Sequence, residues 1–208
     1  CHNPTGADLS EAQWLEVVES IRARGLVAFI DMAYQGFADG IEPDALALRL
    51  FAASGLQFFV SSSFSKSFSL YGERVGALSI VTASRDESAR VMSQVKRVVR
   101  TNYSNPPTHG GAVVAAVLAS PELRKLWEEE LAGMRERIRA MRTGLVDKLK
   151  ARGVAQDFAF VARQRGMFSY TGLTAQQVER LKAEFGIYAV STGRICLAAL
   201  NTRNLDYV

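Results

Sequence analysis

Cysteines and long apolar runs are scarce in this sequence of 208 residues, and each shortage excludes a class of protein. The only two cysteines, Cys1 and Cys196, lie far apart and lack metal-ligand spacing, so we expect neither a disulfide framework nor a zinc site. We expect both to be small buried apolar side chains. No apolar run is long enough to cross a bilayer, and no signal peptide is recognisable. We therefore expect a cytoplasmic protein.

An excess of one charge is also lacking, and so is an initiator methionine. The net charge is only +4, and both signs are interspersed along the predicted helices, so a nucleic-acid-binding surface is not indicated. Hydrophobic residues make up 48% of the chain, which is enough for a sizeable core.

The chain opens inside a motif, Cys-His-Asn-Pro-Thr-Gly, typical of a strand end turning into a loop. We therefore expect a C-terminal fragment of a longer protein.

The chemistry of the sequence is concentrated in residues 61–76, a loop between two short apolar runs. Lys66 is the only lysine in this part of the chain, and apolar side chains flank it. Such surroundings remove water from an ammonium group, lower its pKa and free the amine to attack a carbonyl. Hydroxyl and guanidinium donors of the kind that hold a phosphate lie beside it: Ser63, Ser65 and Arg74. The loop indicates a pyridoxal phosphate (PLP) site, but a serine-rich surface loop with a solvated lysine has the same composition.

A helix and a buried strand precede this loop and form part of a βαβ unit. Ser10 and Gln13 fit a capping box at the helix start, and the apolar run 26–30 follows as a strand buried on both faces. The strand ends at Asp31, where parallel sheets bind their ligands. An isolated aspartate at this place commonly only turns the chain. It would also supply the anionic partner that a pyridinium nitrogen requires.

The rest of the pattern predicts more helices and strands around one long helix at about 121–151. We place a domain boundary in that helix, with a large domain at 1–130 and a small α+β domain at 131–208. The arginines of the helix are interpreted as part of a solvated face: Arg135, Arg137, Arg139 and Arg142. Strands are predicted in the small domain at 158–161, 167–170, 187–190 and 195–199, and a helix at 174–185. Arg194, between two apolar runs, is either a salt-bridge partner or a site for an anion.

Seven motifs, taken in order, resemble one family. They are Asn-Pro-Thr-Gly, Asp-x-Ala-Tyr-Gln-Gly, Ser-Phe-Ser-Lys, Leu-Tyr-Gly-Glu-Arg-Val-Gly, Tyr-Ser-Asn-Pro-Pro, Gly-Met-Phe-Ser-Tyr-Thr-Gly-Leu and Gly-Arg-Ile. The series resembles the class I PLP-dependent aminotransferases, and within them the bacterial aspartate and aromatic-amino-acid (tyrosine) subgroup. The resemblance implies an α/β fold of the fold-type I PLP-dependent transferases. The chain would supply part of the mixed, mostly parallel sheet of the large domain, its flanking helices and the small α+β domain.

The resemblance also implies a role for each matching residue of the cofactor site. Lys66 would form a Schiff base with the cofactor and, once freed by substrate, shuttle the proton of the substrate Cα. Asp31 would pair with the protonated pyridine nitrogen. Asn3 and Tyr34 would hydrogen-bond the phenolic oxygen, and Tyr34 is counted with Lys66 and Asp31 among the catalytic residues. The phosphate would be bound by donors of the loop: Ser63, Ser65 and Arg74.

A second set of residues is implied for the substrates. Arg194 would bind the α-carboxylate bidentately, with Asn3 and Phe168 lining the site. Arg100 would reach into the site of the neighbouring subunit of a homodimer and pair with the distal carboxylate of dicarboxylic substrates. No metal, nucleic acid or membrane partner is expected.

The implied reaction transfers an amino group from tyrosine, phenylalanine or aspartate to 2-oxoglutarate in a ping-pong cycle through the Schiff base. The Gly-Met-Phe-Ser-Tyr-Thr-Gly-Leu motif favours the aromatic enzyme, and a strict aspartate aminotransferase is the alternative. A PLP lyase or decarboxylase of the same fold would have less use for Arg100. An effector-binding half of a regulator would need a DNA-binding segment, and the sequence contains no helix-turn-helix signature. The N-terminal half of the family has no counterpart here, so we expect the isolated chain to be inactive.

Overall fold

The computed structural model describes all 208 residues, and the chain divides into two compact units. The first, here the Lys66 unit, comprises Leu9–Gln35 and Ile41–Glu129. The second, here the Arg194 unit, comprises Cys1–Asp8, Gly36–Gly40 and Glu130–Val208. The assignment of 1–130 and 131–208 as functional domains stays a prediction. No helix is both long and apolar enough to span a membrane.

The Lys66 unit contains a three-stranded mixed sheet with helices around it. Its elements in chain order are α1 (Glu11–Ala23), β1 (Ala28–Met32), a 3₁₀ turn (Pro43–Ala45), α2 (Leu46–Ala53), β2 (Phe58–Ser63), β3 (Gly76–Val81), α3 (Arg85–Asn102) and α4 (His109–Ala119). The unit also holds the first part of α5 (Pro121–Ala151). In the sheet, β1 pairs with β2 in parallel and β2 pairs with β3 antiparallel. The mixed α/β architecture agrees with the prediction.

The core of the Lys66 unit lies between the sheet and the first two helices. The predicted capping box starts α1, because the Ser10 side chain accepts from the Gln13 backbone N–H and the Gln13 side chain accepts from that of Ser10. Val18 of α1 then packs with buried side chains of α2, β1 and β2: Ala28, Phe51, Phe58 and Val60. The parallel pairing of β1 with β2 puts their carboxyl ends at a common edge of the sheet.

The Arg194 unit is built on the second part of α5 and a small two-stranded sheet. Its further elements are α6 (Ala159–Arg163), β4 (Phe168–Tyr170), α7 (Ala175–Phe185), β5 (Arg194–Cys196) and a 3₁₀ turn (Leu197–Ala199). The strands β4 and β5 pair antiparallel. One face of α5 is buried at spacings of seven, three and four residues: Leu131, Ile138, Met141 and Leu145. A capping box at Thr174 starts α7, and Gly186 ends it with a left-handed φ of 64°.

The structure corrects several predictions for the Arg194 unit. The predicted strand at 158–161 is wrong: residues 159–163 form a helix, and the Asp157 carboxylate accepts from the Ala159 N–H at 2.7 Å. A short apolar run is compatible with both a helix and a strand, so the spacing of its apolar residues could not distinguish the two. Residues 187–190 form no strand. Cys196 is exposed rather than buried, whereas the side chain of Cys1 is 4% exposed, as expected. Arg142, expected on a solvated face, is 2% exposed.

Candidate active site

The loop that carries Lys66 is closed at its base by the sheet. Beyond the last pair of β2 and β3, the Phe64 N–H donates to the Val75 carbonyl at 3.2 Å, so the ladder continues into the loop. Lys66 lies in the turn that follows, and its carbonyl accepts from the Ser69 N–H at 3.2 Å. Ser69 and Arg74 both have a left-handed backbone, with φ of 56° and 53°. Such conformations persist where the surroundings impose them, and they concentrate at functional sites.

An aromatic cluster holds this loop in place. Phe68 stacks on Trp127 of α5, with ring centroids 4.5 Å apart, and meets Phe64 edge to face at 5.5 Å. The Trp127 indole N–H also donates to the Ser67 carbonyl at 2.6 Å. Ring pairs of this kind contribute about 0.5–1.5 kcal/mol each beyond their burial. The backbone on both sides of Lys66 is therefore tied to the sheet and to α5.

The amine of Lys66 lies over aromatic rings rather than beside an acid. Its side chain is half-buried, and Nζ lies 4.7 Å from the ring centroid of Tyr34 and 6.0 Å from that of Tyr71. Both distances are within the range of cation–π contacts. Lys66 takes part in none of the ion pairs of the Lys66 unit. The amine is thus held by weak contacts that leave it free for chemistry at a carbonyl.

Asp31 lies near the carboxyl end of β1, next to Ser61 of β2. The parallel register pairs these two residues, and the Ser61 hydroxyl donates to Asp31 Oδ1 at 3.1 Å. The other carboxylate oxygen has no partner within the chain, and the side chain is exposed. Asp31 can therefore accept one further hydrogen bond from a ligand at this sheet edge.

The three predicted phosphate-binding residues lie on the loop after β2. Ser65 is buried, and its N–H donates to the Ser63 hydroxyl at 3.2 Å. Arg74 is exposed and uses Nη1 to bond the Tyr71 carbonyl at 3.0 Å. The remaining N–H groups of its guanidinium have no acceptor in the chain, so they are available to an anion.

The Arg194 unit brings together three other predicted site residues. Arg194 Nη1 donates to Asn3 Oδ1 at 3.0 Å, and the guanidinium carbon lies 4.8 Å from the ring centroid of Phe168. The pairing of β4 with β5 places Phe168 opposite Cys196, two positions along from Arg194. No carboxylate pairs with Arg194. The guanidinium is oriented by an amide and a ring, which suits it to an external carboxylate.

Arg100 contacts none of the other predicted residues. It lies in the last turn of α3, is exposed, and donates to the hydroxyl of Ser104. Its guanidinium has no acidic partner in the chain. The structure also contains no group of three His, Cys, Asp or Glu side chains that could hold a metal ion.

The family model of the class I and II aminotransferases matches residues 1–208. This chain belongs to the class I and II aminotransferases. The resemblance noted in the sequence is therefore confirmed over the whole length of the chain.

The similar proteins are named for two different classes of substrate. An aspartate aminotransferase of Pseudomonas aeruginosa is 72% identical, and an aromatic-amino-acid aminotransferase of Escherichia coli is 52% identical. Each alignment covers 100% of this aminotransferase chain and 52% of the relative. A solved aromatic-amino-acid aminotransferase from Burkholderia pseudomallei, covalently bound to pyridoxal phosphate, matches with a TM-score of 0.98 and 73% identity over 100% of this chain and 52% of its own. The aminotransferase chain thus spans about half the length of the relatives it matches, and its fold is theirs.

Three residues near the predicted site of this aminotransferase chain were not given a role from the sequence. They are Ser61 beside Asp31, Tyr71 beside Lys66, and Trp127 behind Phe68. The strand register would have indicated Ser61, because parallel pairing aligns the ends of β1 and β2. Tyr71 stands in a quoted motif, whereas no local signal connects Trp127 to a loop 60 residues earlier.

Proposed function

We propose that the protein containing this chain is a PLP-dependent aminotransferase. It transfers the amino group of an aromatic amino acid (tyrosine or phenylalanine) or of aspartate to 2-oxoglutarate. The observation that carries the proposal is the Lys66 amine, which lies over two tyrosine rings, without an acidic partner, on a loop braced from both sides. Family membership over the whole chain and a relative named as covalently bound to pyridoxal phosphate support it.

The donor and acceptor groups of the Lys66 unit suit this cofactor. The free oxygen of Asp31 offers an anionic acceptor for a protonated ring nitrogen, and the Ser61 hydroxyl holds the other oxygen. The loop offers phosphate donors in its hydroxyls and in the guanidinium of Arg74. When bound, pyridoxal phosphate supplies an aldehyde that condenses with amines and a ring that withdraws electrons from the substrate Cα.

The residues of the chain then perform the proton transfers and the binding. Lys66 Nζ takes the Cα proton of the bound amino acid as a general base, with the rings of Tyr34 and Tyr71 limiting its movement. Asp31 holds the proton of the ring nitrogen by charge attraction, and Asn3 and Tyr34 donate to the phenolic oxygen.

Substrate recognition rests on two arginines without acidic partners. Arg194, oriented by Asn3 and Phe168, binds the α-carboxylate bidentately. Arg100 binds the distal carboxylate of aspartate and glutamate in the neighbouring site of a homodimer. Within its own chain the Arg100 guanidinium bonds only the Ser104 hydroxyl, so it has donors left for that carboxylate. Relatives of 72% and 73% identity bear the aspartate and the aromatic name, respectively, which supports both substrate classes.

Borohydride reduction of the full-length protein, followed by peptide mapping, tests the cofactor site. We expect the reduced cofactor on Lys66, and a label at another lysine or at none would refute the assignment. Initial rates with aspartate, tyrosine and phenylalanine, each with 2-oxoglutarate, then rank the substrates. Release of carbon dioxide without amino transfer would favour a decarboxylase instead.

A further inference from the structure

Arg142 is a buried cation with no acidic partner. Its side chain is 2% exposed, and its guanidinium makes six hydrogen bonds to one short segment, 161–169. The acceptors are the carbonyls of Val161, Arg165, Gly166 and Phe168 and the hydroxyl of Ser169. Burial lowers the pKa of Arg142 to about 10, and the charge of Asp8 opposes this effect. Because that value is well above neutral pH, the side chain remains charged.

These contacts occupy nearly all the bonding capacity of the guanidinium. It has five N–H groups in a rigid plane, and a lysine ammonium could not reach the same acceptors. The carbonyls of the segment point toward one place, and a buried carbonyl that lacks a donor is destabilising. The hydroxyl of Ser169, which is fully buried, in turn donates to Gln164 Oε1 at 2.6 Å. Arg142 therefore holds the segment in a shape that it could not keep alone.

The same segment carries one wall of the Arg194 site. The Phe168 carbonyl accepts from Arg142 Nη2 at 2.6 Å, while the Phe168 ring lies under the guanidinium of Arg194. Arg142 thus holds the backbone of the residue whose side chain contacts Arg194. Arg142 therefore contacts Phe168 directly and influences Arg194 only through Phe168.

The turn that carries Asn3 packs against the same segment. The Arg165 N–H donates to the Gly6 carbonyl at 2.9 Å, and a Cβ at Gly6 would lie 2.3 Å from the Phe168 carbonyl oxygen. Only glycine allows this approach, and its φ of 71° also favours glycine. Both partners of Arg194, the Asn3 amide and the Phe168 ring, therefore depend on the segment that Arg142 holds.

We propose that Arg142 is a positioning residue for the carboxylate site around Arg194, and this rests on the function proposed above. It touches no substrate. It keeps Phe168 and the Asn3 turn at the distances that orient the Arg194 guanidinium toward a carboxylate. Loss of Arg142 therefore weakens carboxylate binding while the proton transfer at Lys66 continues.

The test uses the full-length enzyme with Arg142→Lys, Arg142→Met and a matched control, Arg137→Met. Arg137 lies on the same helix and also donates to two backbone carbonyls, those of Ala198 and Leu200, but none of its hydrogen bonds goes to the 161–169 segment. KM and kcat are measured with aspartate, and the binding of succinate, an unreactive dicarboxylate, is measured by calorimetry. We expect Arg142→Lys to raise the KM and the succinate Kd about tenfold with kcat within about twofold, and Arg142→Met to raise them further.

The control separates positioning from general stability. Arg137→Met should lower the melting temperature while leaving both constants within about twofold of the original. Equal increases in KM for the Arg137 and Arg142 variants, or unchanged constants in a folded Arg142→Lys protein, would overturn the proposal. If the unmodified enzyme neither transaminates nor binds succinate, the proposed function has failed instead.

A milder variant keeps the proposal testable if the Arg142 variants do not fold. Ser169→Ala removes one acceptor, the hydroxyl 2.7 Å from Arg142 Nη1, and leaves the guanidinium in place. We expect a rise in the succinate Kd of about threefold, in the same direction as for Arg142→Lys. An unchanged Kd in folded Ser169→Ala, together with unfolded Arg142 variants, would assign Arg142 to stability alone.

Discussion

The Lys66 unit and the Arg194 unit hold their predicted site residues by different means. In the Lys66 unit, the amine stands on a loop that is braced by stacked aromatic rings and one indole hydrogen bond. In the Arg194 unit, the Arg194 guanidinium is oriented by Asn3, 191 residues earlier in the chain, and by the ring of Phe168, whose backbone a buried arginine holds.

The two kinds of support respond differently to damage. Apolar packing weakens gradually with the loss of contact area, because dispersion contacts are many and individually small. A buried polar network loses several directional bonds at once and leaves unpaired groups behind. The difference predicts that changes in the Lys66 unit act on the rate of the chemical step, whereas changes in the Arg194 unit act on affinity for carboxylates.

The largest effect is expected from Lys66→Ala in the full-length protein. It should remove the visible absorption of the bound cofactor and lower transamination by several orders of magnitude, because no other base holds this position. Lys96→Ala on α3 is the matched control and should behave as the original enzyme. Normal turnover by Lys66→Ala would show that Lys66 does not carry the chemical step and would contradict the role given to the Lys66 unit.

Arg194→Lys should damage binding more than chemistry. A lysine keeps the charge but cannot make two parallel bonds to a carboxylate, so we expect kcat/KM to fall about a hundredfold, mainly through KM. Arg180→Lys is the control, since Arg180 is an exposed partner of Glu184 on α7. A loss confined to kcat would place Arg194 with the chemistry and contradict the division between the two units.

Arg100→Ala should separate the two substrate classes. We expect kcat/KM for aspartate to fall about a hundredfold and that for phenylalanine to change only a few-fold, because only aspartate has a distal carboxylate. Equal losses would show that Arg100 does not read that carboxylate.

Mixed dimers test whether Arg100 acts across the subunit boundary. A dimer of one Lys66→Ala and one Arg100→Ala subunit would place both defects in one site and leave the other intact. Refolding the two variants together should therefore restore aspartate turnover. Restoration would fail if Arg100 served the site of its own subunit.

Trp127→Leu should slow the reaction without affecting substrate affinity. It removes the stack on Phe68 and the bond to the Ser67 carbonyl, so the loop around Lys66 loosens. We expect kcat to fall about tenfold with KM nearly unchanged. Trp14→Leu, at an edge-to-face contact with Phe51, should lower stability and leave kcat intact. Equal kcat losses in both variants would mean that stability, and not loop position, limits the rate.

The smallest effects are expected at the two capping boxes, one in each unit. Ser10→Ala and Thr174→Ala each remove the acceptor for an otherwise unpaired backbone N–H at a helix start. Each should lower the free energy of unfolding by about 1 kcal/mol, measured by urea denaturation. Neither should change KM or kcat beyond about twofold, and a KM change with Thr174→Ala alone would show that helix starts also tune the Arg194 unit.

Elements with local signals were predicted well from the sequence. The capping boxes at Ser10 and Thr174 start α1 and α7, and the predicted long helix at about 121–151 agrees with α5. These features depend on residues three or four positions apart, which the sequence displays directly. The predicted strand at 158–161 failed for the converse reason. Its few apolar residues suit both a helix and a strand, and the structure shows a helix whose first N–H donates to the Asp157 carboxylate.

The sequence by itself determined that a lysine follows a short strand in a loop with hydroxyl and guanidinium side chains, and it predicted a cofactor site there. It also determined the family, because its motifs are contiguous and stand in order. Only the tertiary structure decided which arginine of α5 is buried. Arg137 and Arg139 are exposed as predicted, whereas Arg142 is buried, because the carbonyls of segment 161–169 converge on that side chain. The surroundings of a guanidinium depend on acceptors about twenty residues away, and a helical period carries no information about them.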